Sequence, residues 1–215
     1  MLREMKEDVL NHIKKIKLPY TVVDIGWGYQ VNLPRLPSGR IDYAVMNFSD
    51  GIDGNGDVPI AFTDLRDIGI YVTHIISDPR TLNRMVFAYN EIYTQNQLYD
   101  MLERLSGETL ECKYVTAEEL ADRIDALEAT QPAPDSIDFV TLTMLQCRYS
   151  CGIRGDNTPE YAQYLGYLLA EDLYPDFKGV TFERYAQEVI EGKGRRVYEH
   201  LMDLPSIKAM NEARQ

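Results

Sequence analysis

Cysteine is scarce in this chain of 215 residues, and its three cysteines show no pattern that indicates a disulfide framework. Cys147 and Cys151 are four residues apart, so they would share one face of a helix. Two soft ligands at that spacing could hold a metal ion, but no histidine lies near them in sequence. We therefore expect buried free thiols at these two positions and no metal site.

Histidine is equally rare. The three histidines, His12, His74 and His200, are scattered along the chain, and the first two fall in predicted helices as surface or edge residues. The G-x-S-x-G motif that carries the serine of many hydrolases is absent. The sequence therefore contains no candidate for classical hydrolase chemistry.

The chain also lacks a long apolar run of the roughly 18 residues that a membrane-spanning helix needs. Its N-terminal segment is charged and amphipathic, unlike a signal peptide, so we expect a cytoplasmic protein. The 34 acidic and 22 basic residues give a formal net charge of -12. Because a phosphate-binding surface needs a basic patch, this charge argues against nucleic-acid and anionic-membrane partners. The short basic runs at 14–17 and 193–196 are typical of helix ends and tails.

Three short motifs resemble functional signatures without completing them. The segment Gly26-Trp27-Gly28 has two glycines, but no G-x-G-x-x-G occurs anywhere in the chain. The acidic segment at 53–57 resembles the opening of a calcium loop, but Val58 stands where that loop needs glycine, so we expect a tight turn. Tyr174 and Lys178 match a Y-x-x-x-K spacing, but Pro175 between them predicts a loop rather than a shared helical face.

What the sequence does contain is an alternation of helical and strand patterns, which is typical of an α/β fold. Residues 1–17 form an amphipathic helical pattern with an apolar stripe at Leu2, Met5, Val9, Ile13 and Ile16. Strands are predicted at 20–26, 41–48, 58–62, 85–89 and 110–115, and further helices at 65–76, 94–105, 117–127, 136–149, 161–173 and 182–190. Helix caps are predicted at Thr63 or Asp64, at Thr116 with Glu119, and at Asp135.

The predicted first strand ends in the segment Gly26–Gln30, at the edge of the sheet where open α/β folds bind ligands. Lys6 on the first helix lies at the rim of the apolar stripe. A lysine in that place is most often a surface residue whose stem packs on apolar neighbours. A half-buried ammonium beside a cofactor could instead donate a proton or orient a hydroxyl group.

Many segments together resemble the NmrA-like, isoflavone-reductase-like family of atypical short-chain dehydrogenases. The matching segments are the Lys6 helix and residues 18–21, 24–30, 53–57, 61–69, 77–83, 89–91, 94–97, 106–108 and 154–157. They follow one another in order over most of the chain. The resemblance implies a Rossmann-like domain that binds NAD(P), with a smaller α/β domain that covers the substrate. It also implies that residues 1–40 carry the last helix and strand of the first domain and that residues 41–215 form the substrate-binding part, interleaved with the last strands.

The resemblance assigns roles to particular residues. In the reductases of the family a lysine lies thirteen residues before the proline of a Pro-Tyr-Thr-like strand, and Lys6 precedes Pro19 by that interval. Lys6 is thereby implied as the catalytic residue and as a cofactor contact. The turn that contacts the nicotinamide half of the cofactor corresponds to Gly26, Trp27, Gly28, Tyr29 and Gln30, of which Trp27, Tyr29 and Gln30 would shape the substrate pocket.

The chain departs from the family at its start, because the N-terminal glycine-rich βαβ unit that holds NADP or NAD is missing before Met1. We therefore expect a truncated NAD(P)-dependent reductase of a small aromatic or secondary metabolite that does not bind NADPH usefully by itself. A non-catalytic NAD(P)-sensing regulatory protein and an inactive fragment are the alternatives. The expected partner is a small-molecule substrate, and the sequence leaves open whether the chain forms a homodimer. We also expect an exposed sheet edge at 20–25.

Overall fold

The computed structural model describes residues 2–46, 51–195 and 197, and within this range the chain is a mixed α/β protein. Its strands are β1 Thr21–Asp24, β2 Trp27–Gly28, β3 Ile52–Asp53, β4 Ile60–Thr63, β5 Arg84–Phe87, β6 Glu91–Tyr93, β7 Tyr114–Val115 and β8 Leu168–Leu169. Its α-helices are α1 Leu2–Lys15, α2 Ile68–Ile76, α3 Gln95–Ser106, α4 Ala117–Ala129, α5 Ile137–Arg148, α6 Pro159–Tyr164, α7 Ala170–Leu173 and α8 Phe182–Ile190. A π-helix at Tyr149–Arg154 continues α5, and short 3-10 helices lie at Tyr29–Val31 and Pro79–Thr81.

The strands form three small sheets. One has the order β1-β5-β8 and is entirely parallel. In the second, β4 pairs in parallel with β2 and antiparallel with β6, while β3 and β7 form a parallel pair. The α/β class with parallel strands is therefore confirmed. Within the described residues β1 is an edge strand, since it pairs only with β5, and this agrees with the exposed edge that the sequence predicts.

The strongest sequence signals for helix ends are confirmed. Thr116 forms the predicted capping box with Glu119, and Gly107 ends α3 in the left-handed conformation. Thr94 forms a second capping box with Gln97, which was not predicted from the sequence. The predicted helix at 182–190 is α8 residue for residue. These signals succeed because they depend only on neighbouring residues, whose hydrogen bonds close within one turn of helix.

Two predicted elements begin or fold differently. The segment predicted as a strand at 41–48 forms turns instead, in which the amide of Asp42 donates to Gly39 and that of Ala44 to Ile41; residues 47 and 48 lie outside the described range. The helix predicted from residue 65 begins at Ile68. Thr63 does not cap it, because its hydroxyl donates to the carbonyl of Ile25.

Three other predictions need correction. Ser136 rather than Asp135 caps α5, since its hydroxyl accepts from the amide of Phe139. Among the described residues, only Tyr114 and Val115 of the strand predicted at 110–115 pair with another strand. The helix predicted at 161–173 is divided into α6, β8 and α7, because Gly166 adopts a φ of +84° after α6 and Leu168–Leu169 pair with β5. The tyrosines of this segment recur at helical spacing, so the sequence pattern predicted one continuous helix.

The largest core cluster joins the second sheet to α3 and α8. Its buried members include Tyr29, Phe62, Leu102 and Phe182. The apolar stripe of α1, in contrast, is not buried as predicted: Met5, Val9 and Ile16 are exposed, and the side chain of Leu2 lies outside the described range. The basic residues Lys14 and Lys15 lie in the last turn of α1, as predicted. In the described part of the chain, no helix has the length and apolar character that crossing a membrane requires.

Candidate functional site

The turn that follows β1 lies where the sequence predicts a ligand site, at the carboxyl end of a parallel strand. Gly26 adopts a φ of +64°, and its amide donates to the Asp24 carboxylate at 3.3 Å. A Cβ at this position would lie 2.6 Å from the carbonyl oxygen of Ala61 and 3.1 Å from Oδ1 of Asn157. Glycine is therefore required here both for the backbone conformation and for the close approach to β4.

Two residues from other parts of the chain hold this turn. The Thr63 hydroxyl donates to the carbonyl of Ile25 at 2.5 Å. Asn157 donates from Nδ2 to the carbonyl of Ala61 at 3.0 Å and accepts from the Ala61 amide with its own carbonyl, also at 3.0 Å. The turn, β4 and the loop after the π-helix thus form one hydrogen-bonded unit. Asn157 belongs to a segment that carries the family resemblance, but nothing in the sequence shows that it contacts Gly26.

Tyr29 and Gln30 lie deeper than the rest of the turn. Tyr29 is 1% exposed, stacks between Phe62 and Tyr185, and donates its hydroxyl to Glu91 at 2.7 Å. Burial and the neighbouring Glu91 carboxylate raise the pKa of Tyr29 well above its usual value, so it stays protonated. Gln30 is buried as well, donates to Asp64 at 2.8 Å and accepts from the amide of Leu65. Both side chains are buried beneath the turn and hold it through these hydrogen bonds. Their predicted role in shaping the substrate pocket stays a prediction.

Trp27 and Gly28 form β2 and attach the turn to β4. Trp27 pairs with Phe62 and Gly28 with Thr63 in parallel register. Trp27 is partly exposed and meets the Phe62 ring edge-on at 6.3 Å between centroids. Gly28 is buried, and a Cβ there would lie 2.8 Å from the Leu65 side chain. Among the five predicted turn residues, Gly26 and Trp27 are therefore the ones with surface that a ligand could contact.

Lys6 is exposed on α1, and among the described residues no hydrogen bond joins it to the turn at 26–30. Its charge acts on Cys147, where it opposes the effect of burial, which raises the pKa of that thiol. Cys151, one turn further along, has its pKa raised to about 12 by burial, with smaller contributions from Cys147 and from Asp24 at the end of β1. The charges of Lys6 and Asp24 thus act on two thiols that are one helical turn apart. Both are free and partly buried, as predicted.

The turn between β4 and α2 is the described strand-to-helix connection closest to the site, and it is unsuited to a phosphate group. The amide of Leu65 already donates to Gln30 and that of Arg66 to the carboxylate of Asp64. Asp67 at the N-cap is buried and accepts from the amide of Val180 and from Asn90. Two carboxylates at a helix N-terminus occupy the place that a pyrophosphate takes in dinucleotide sites. This connection therefore does not supply a phosphate site.

A buried ion pair anchors the π-helix beside the site. Arg148 contacts Oδ1 of Asp53 from Nε at 2.9 Å and from a terminal guanidinium nitrogen at 2.6 Å. Asp53 can approach because residue 152 is glycine; a Cβ there would lie 2.7 Å from the Cβ of Asp53. The segment at 53–57 is a turn, as predicted, in which the amide of Gly56 donates to Asp53. Asp53 therefore orients the π-helix that leads to Asn157.

The remaining sequence candidates lie elsewhere. Tyr174 and Lys178 do not form a catalytic pair: Tyr174 donates to Asp78, and Lys178 donates to the carbonyl of Pro175 in a loop, as Pro175 predicts. His74 is exposed on α2 and stacks on Tyr174, and His12 is exposed on α1. His200 lies outside the described residues.

Comparison with known proteins identifies the family. The model of the NmrA-like family matches residues 4–146. Asnovolin J 5′,6′-dehydrogenase of Aspergillus novofumigatus is 44% identical over 199 residues, which are 89% of this chain and 60% of that protein. An isoflavone reductase-like protein of Olea europaea is 29% identical over 87% of this chain and 58% of its own length. The chain therefore spans about three fifths of the length of these relatives.

Solved structures share the fold. A complex of leucoanthocyanidin reductase with NADPH from Vitis vinifera superposes with a TM-score of 0.68 at 21% identity, over 86% of this chain and 59% of that one. An isoflavone reductase gives a TM-score of 0.66 at 24% identity, over 86% and 57% of the two chains. Sequence and fold agree, and this chain belongs to the NmrA-like family.

Proposed function

We propose that this chain carries the nicotinamide-side and substrate-side part of an NAD(P)H-dependent reductase that acts on a small aromatic or other secondary metabolite. NADP is the cofactor that we favour, since a leucoanthocyanidin reductase of the same fold binds NADPH. Two relatives, a dehydrogenase and an isoflavone reductase-like protein, support the reaction class. The proposed residues are Lys6 and the turn at 26–30.

The observation that carries the proposal is the position of Lys6 relative to the turn. Lys6 acts electrostatically on Cys147, and Asp24 at the end of β1 acts on Cys151, one helical turn away. A charge on the first helix and a charge at the carboxyl end of a parallel strand thus act on neighbouring thiols of α5 and its π-helix. That arrangement suits a cleft in which a lysine reaches a molecule bound at the turn.

When bound, a reduced nicotinamide supplies a hydride to a conjugated alkene or carbonyl group. Gly26 and Trp27 would lie against the nicotinamide ring. The buried residues Gly28, Tyr29 and Gln30 would hold the turn in place. Lys6 would complete the site: its ammonium group can donate a proton to the developing anion, or hold the substrate oxygen and a ribose hydroxyl by hydrogen bonds. Because Lys6 is exposed, it would approach the substrate from the solvent side of the cleft.

The test supplies the part of the relatives' length that this chain does not span. A chimera would join the remaining two fifths of the Aspergillus relative to this chain, and NADPH binding and turnover of conjugated ketones would be measured. We expect Lys6→Ala to lower kcat by roughly 100-fold or more and to leave the Kd of NADPH almost unchanged. The unfolding free energy should change by less than about 0.5 kcal/mol, because Lys6 is a surface residue.

Lys15→Ala is the matched control, since Lys15 is exposed near the other end of the same helix. It should leave kcat unchanged. Equal kcat in the wild-type chimera and in Lys6→Ala would contradict the catalytic role of Lys6. NADPH binding without turnover in the wild-type chimera would favour the regulatory protein that senses NAD(P), and failure to bind NADPH would favour the inactive fragment.

A further inference from the structure

The carboxylate of Glu91 joins the turn at 26–30 to helix α8. Its Oε2 accepts from the hydroxyl of Tyr29 at 2.7 Å and from the amide of Phe182, the first residue of α8, at 2.6 Å. Its Oε1 accepts from the hydroxyl of Tyr93 at 2.9 Å. The turn and the beginning of α8, which are far apart in sequence, therefore share one oxygen atom.

The second sheet brings Glu91 to this place. Phe62 of β4 pairs with Trp27 of β2 on one side and with Glu91 of β6 on the other. Because paired residues of neighbouring strands lie on the same face of a sheet, the three side chains form one row across it. Tyr29 follows Trp27 by two residues, and its ring stacks on Phe62 with 6.1 Å between centroids. This stacking directs the Tyr29 hydroxyl along the row to Glu91.

A second series of hydrogen bonds joins the other end of α8 to the turn. Gln30 donates to Asp64, which also accepts from Arg66. Arg66 in turn donates to Glu188 near the end of α8 at 2.7 Å. The side chain of Arg66 is 50% exposed, so water weakens this connection. The connection through Glu91 is the stronger of the two, since it includes Tyr29, which is 1% exposed.

We propose that Glu91 is a positioning residue for the turn: it holds the hydroxyl of Tyr29, and through Tyr29 it keeps the turn in a fixed place relative to α8. A carboxylate suits this role because its two oxygens have enough acceptor sites for all three donors. The inference rests on the function proposed above, in which the turn contacts the nicotinamide ring. Glu91 would then set the position of that ring without contacting it.

The 215-residue chain without a cofactor tests the positioning role, because its single tryptophan, Trp27, lies in the turn. Tyr29→Phe keeps the stacked ring and removes the hydroxyl, and Glu91→Ala removes the acceptor. Both should raise the quenching of Trp27 fluorescence by acrylamide. Both should also speed amide hydrogen exchange in the turn by roughly fivefold or more, since a lost buried hydrogen bond shifts a local opening equilibrium by about that factor.

Tyr93→Phe is the matched control, since Tyr93 also donates to Glu91 but lies outside the turn. It should leave quenching and exchange in the turn as they are in the wild type. Unchanged quenching and exchange in Tyr29→Phe, or equal effects of Tyr29→Phe and Tyr93→Phe, would overturn the proposal. Circular dichroism checks that each variant folds, and if Glu91→Ala does not fold, Tyr29→Phe decides.

Glu91→Gln separates hydrogen bonding from charge. The glutamine oxygen can accept from Tyr29 and Phe182 while its NH₂ group donates to the Tyr93 hydroxyl, so quenching and exchange should stay as in the wild type. In the chimera, Glu91→Ala should lower kcat by at least about tenfold and Glu91→Gln should keep it. Because quenching and exchange need neither cofactor nor turnover, they decide the role of Glu91 even where the chimera is inactive. Failure of this inference is thus distinguishable from failure of the proposed function.

Discussion

At the scale of single residues, Gly26 decides the conformation of the turn after β1. Gly26→Ala adds a Cβ 2.6 Å from the Ala61 carbonyl in a backbone with φ of +64°. We expect a loss of unfolding free energy of about 3 kcal/mol, from the left-handed conformation and the clash together. Urea unfolding at neutral pH measures the loss.

Gly107→Ala is the control for Gly26→Ala, because Gly107 has a similar φ of +72° and no atom within 4 Å of an added Cβ. That substitution should cost about 1 kcal/mol, which is the conformational part alone. Equal losses for the two variants would mean that the turn moves away from β4 without cost. The close approach between Gly26 and Ala61 would then not hold the site together.

The buried carboxyl of Asp64 makes the stability of the fold depend on pH. Burial opposes ionisation of its carboxyl, but hydrogen bonds from Arg66 and Gln30 outweigh burial and lower the pKa. A carboxyl with a depressed pKa in the folded state stabilises the protein above its unfolded pKa of about 3.9, and that stability is lost as the pH falls through the folded pKa. We expect Asp64→Asn to be less stable than the wild type at pH 7 and to lose less stability between pH 5 and pH 3, as measured by urea unfolding.

Asp57→Asn serves as the comparison for Asp64→Asn, because Asp57 lies in the turn at 53–57 and is exposed. The unfolding free energy of Asp57→Asn should fall between pH 5 and pH 3 as steeply as that of the wild type. If the unfolding free energy of Asp64→Asn falls with pH as steeply as that of the wild type, other carboxylates dominate the loss of stability at low pH.

At the scale of elements, the π-helix after α5 depends on the buried pair of Asp53 and Arg148. Arg148→Met leaves the carboxylate of Asp53 buried without this cation, so we expect a loss of about 3 to 5 kcal/mol in unfolding free energy. Arg104→Met breaks an ion pair with Glu183 in which both side chains are exposed, and it should cost less than about 1 kcal/mol. Chemical unfolding of the two variants makes the comparison, and equal costs would contradict the anchoring role of Arg148.

The elements also show which sequence signals can be trusted. The capping box at Thr116 and the glycine after α3 are local, and the structure has them where the sequence predicts them. The division of the 161–173 segment is not local, because Leu168–Leu169 become a strand only by pairing with Val86 and Phe87 of β5. A helical pattern cannot reveal a partner strand more than eighty residues away.

At the scale of the whole molecule, the chain spans 60% of the length of its Aspergillus relative and leaves β1 as an edge strand in the described residues. The connection between β4 and α2 carries two buried carboxylates, Asp64 and Asp67, at the start of a helix, which makes it unsuited to a phosphate. We therefore expect the 215-residue chain alone to bind NADPH far more weakly than the chimera does. Titration of NADPH fluorescence measures this, and micromolar binding by the chain alone would contradict it.

The sequence by itself determined the α/β class, the family, most of the helices, and the turn at the end of β1, because these depend on local periodicity, on caps and on a long ordered series of matching segments. Only the tertiary structure decided which residues support that turn. Thr63, Asn157 and Asp53 come from three separate parts of the chain, and hydrogen bonds formed on folding bring each of them to the site. It also decided that the apolar stripe of α1 is exposed, because periodicity shows that a helix has an apolar face but not whether another element covers it.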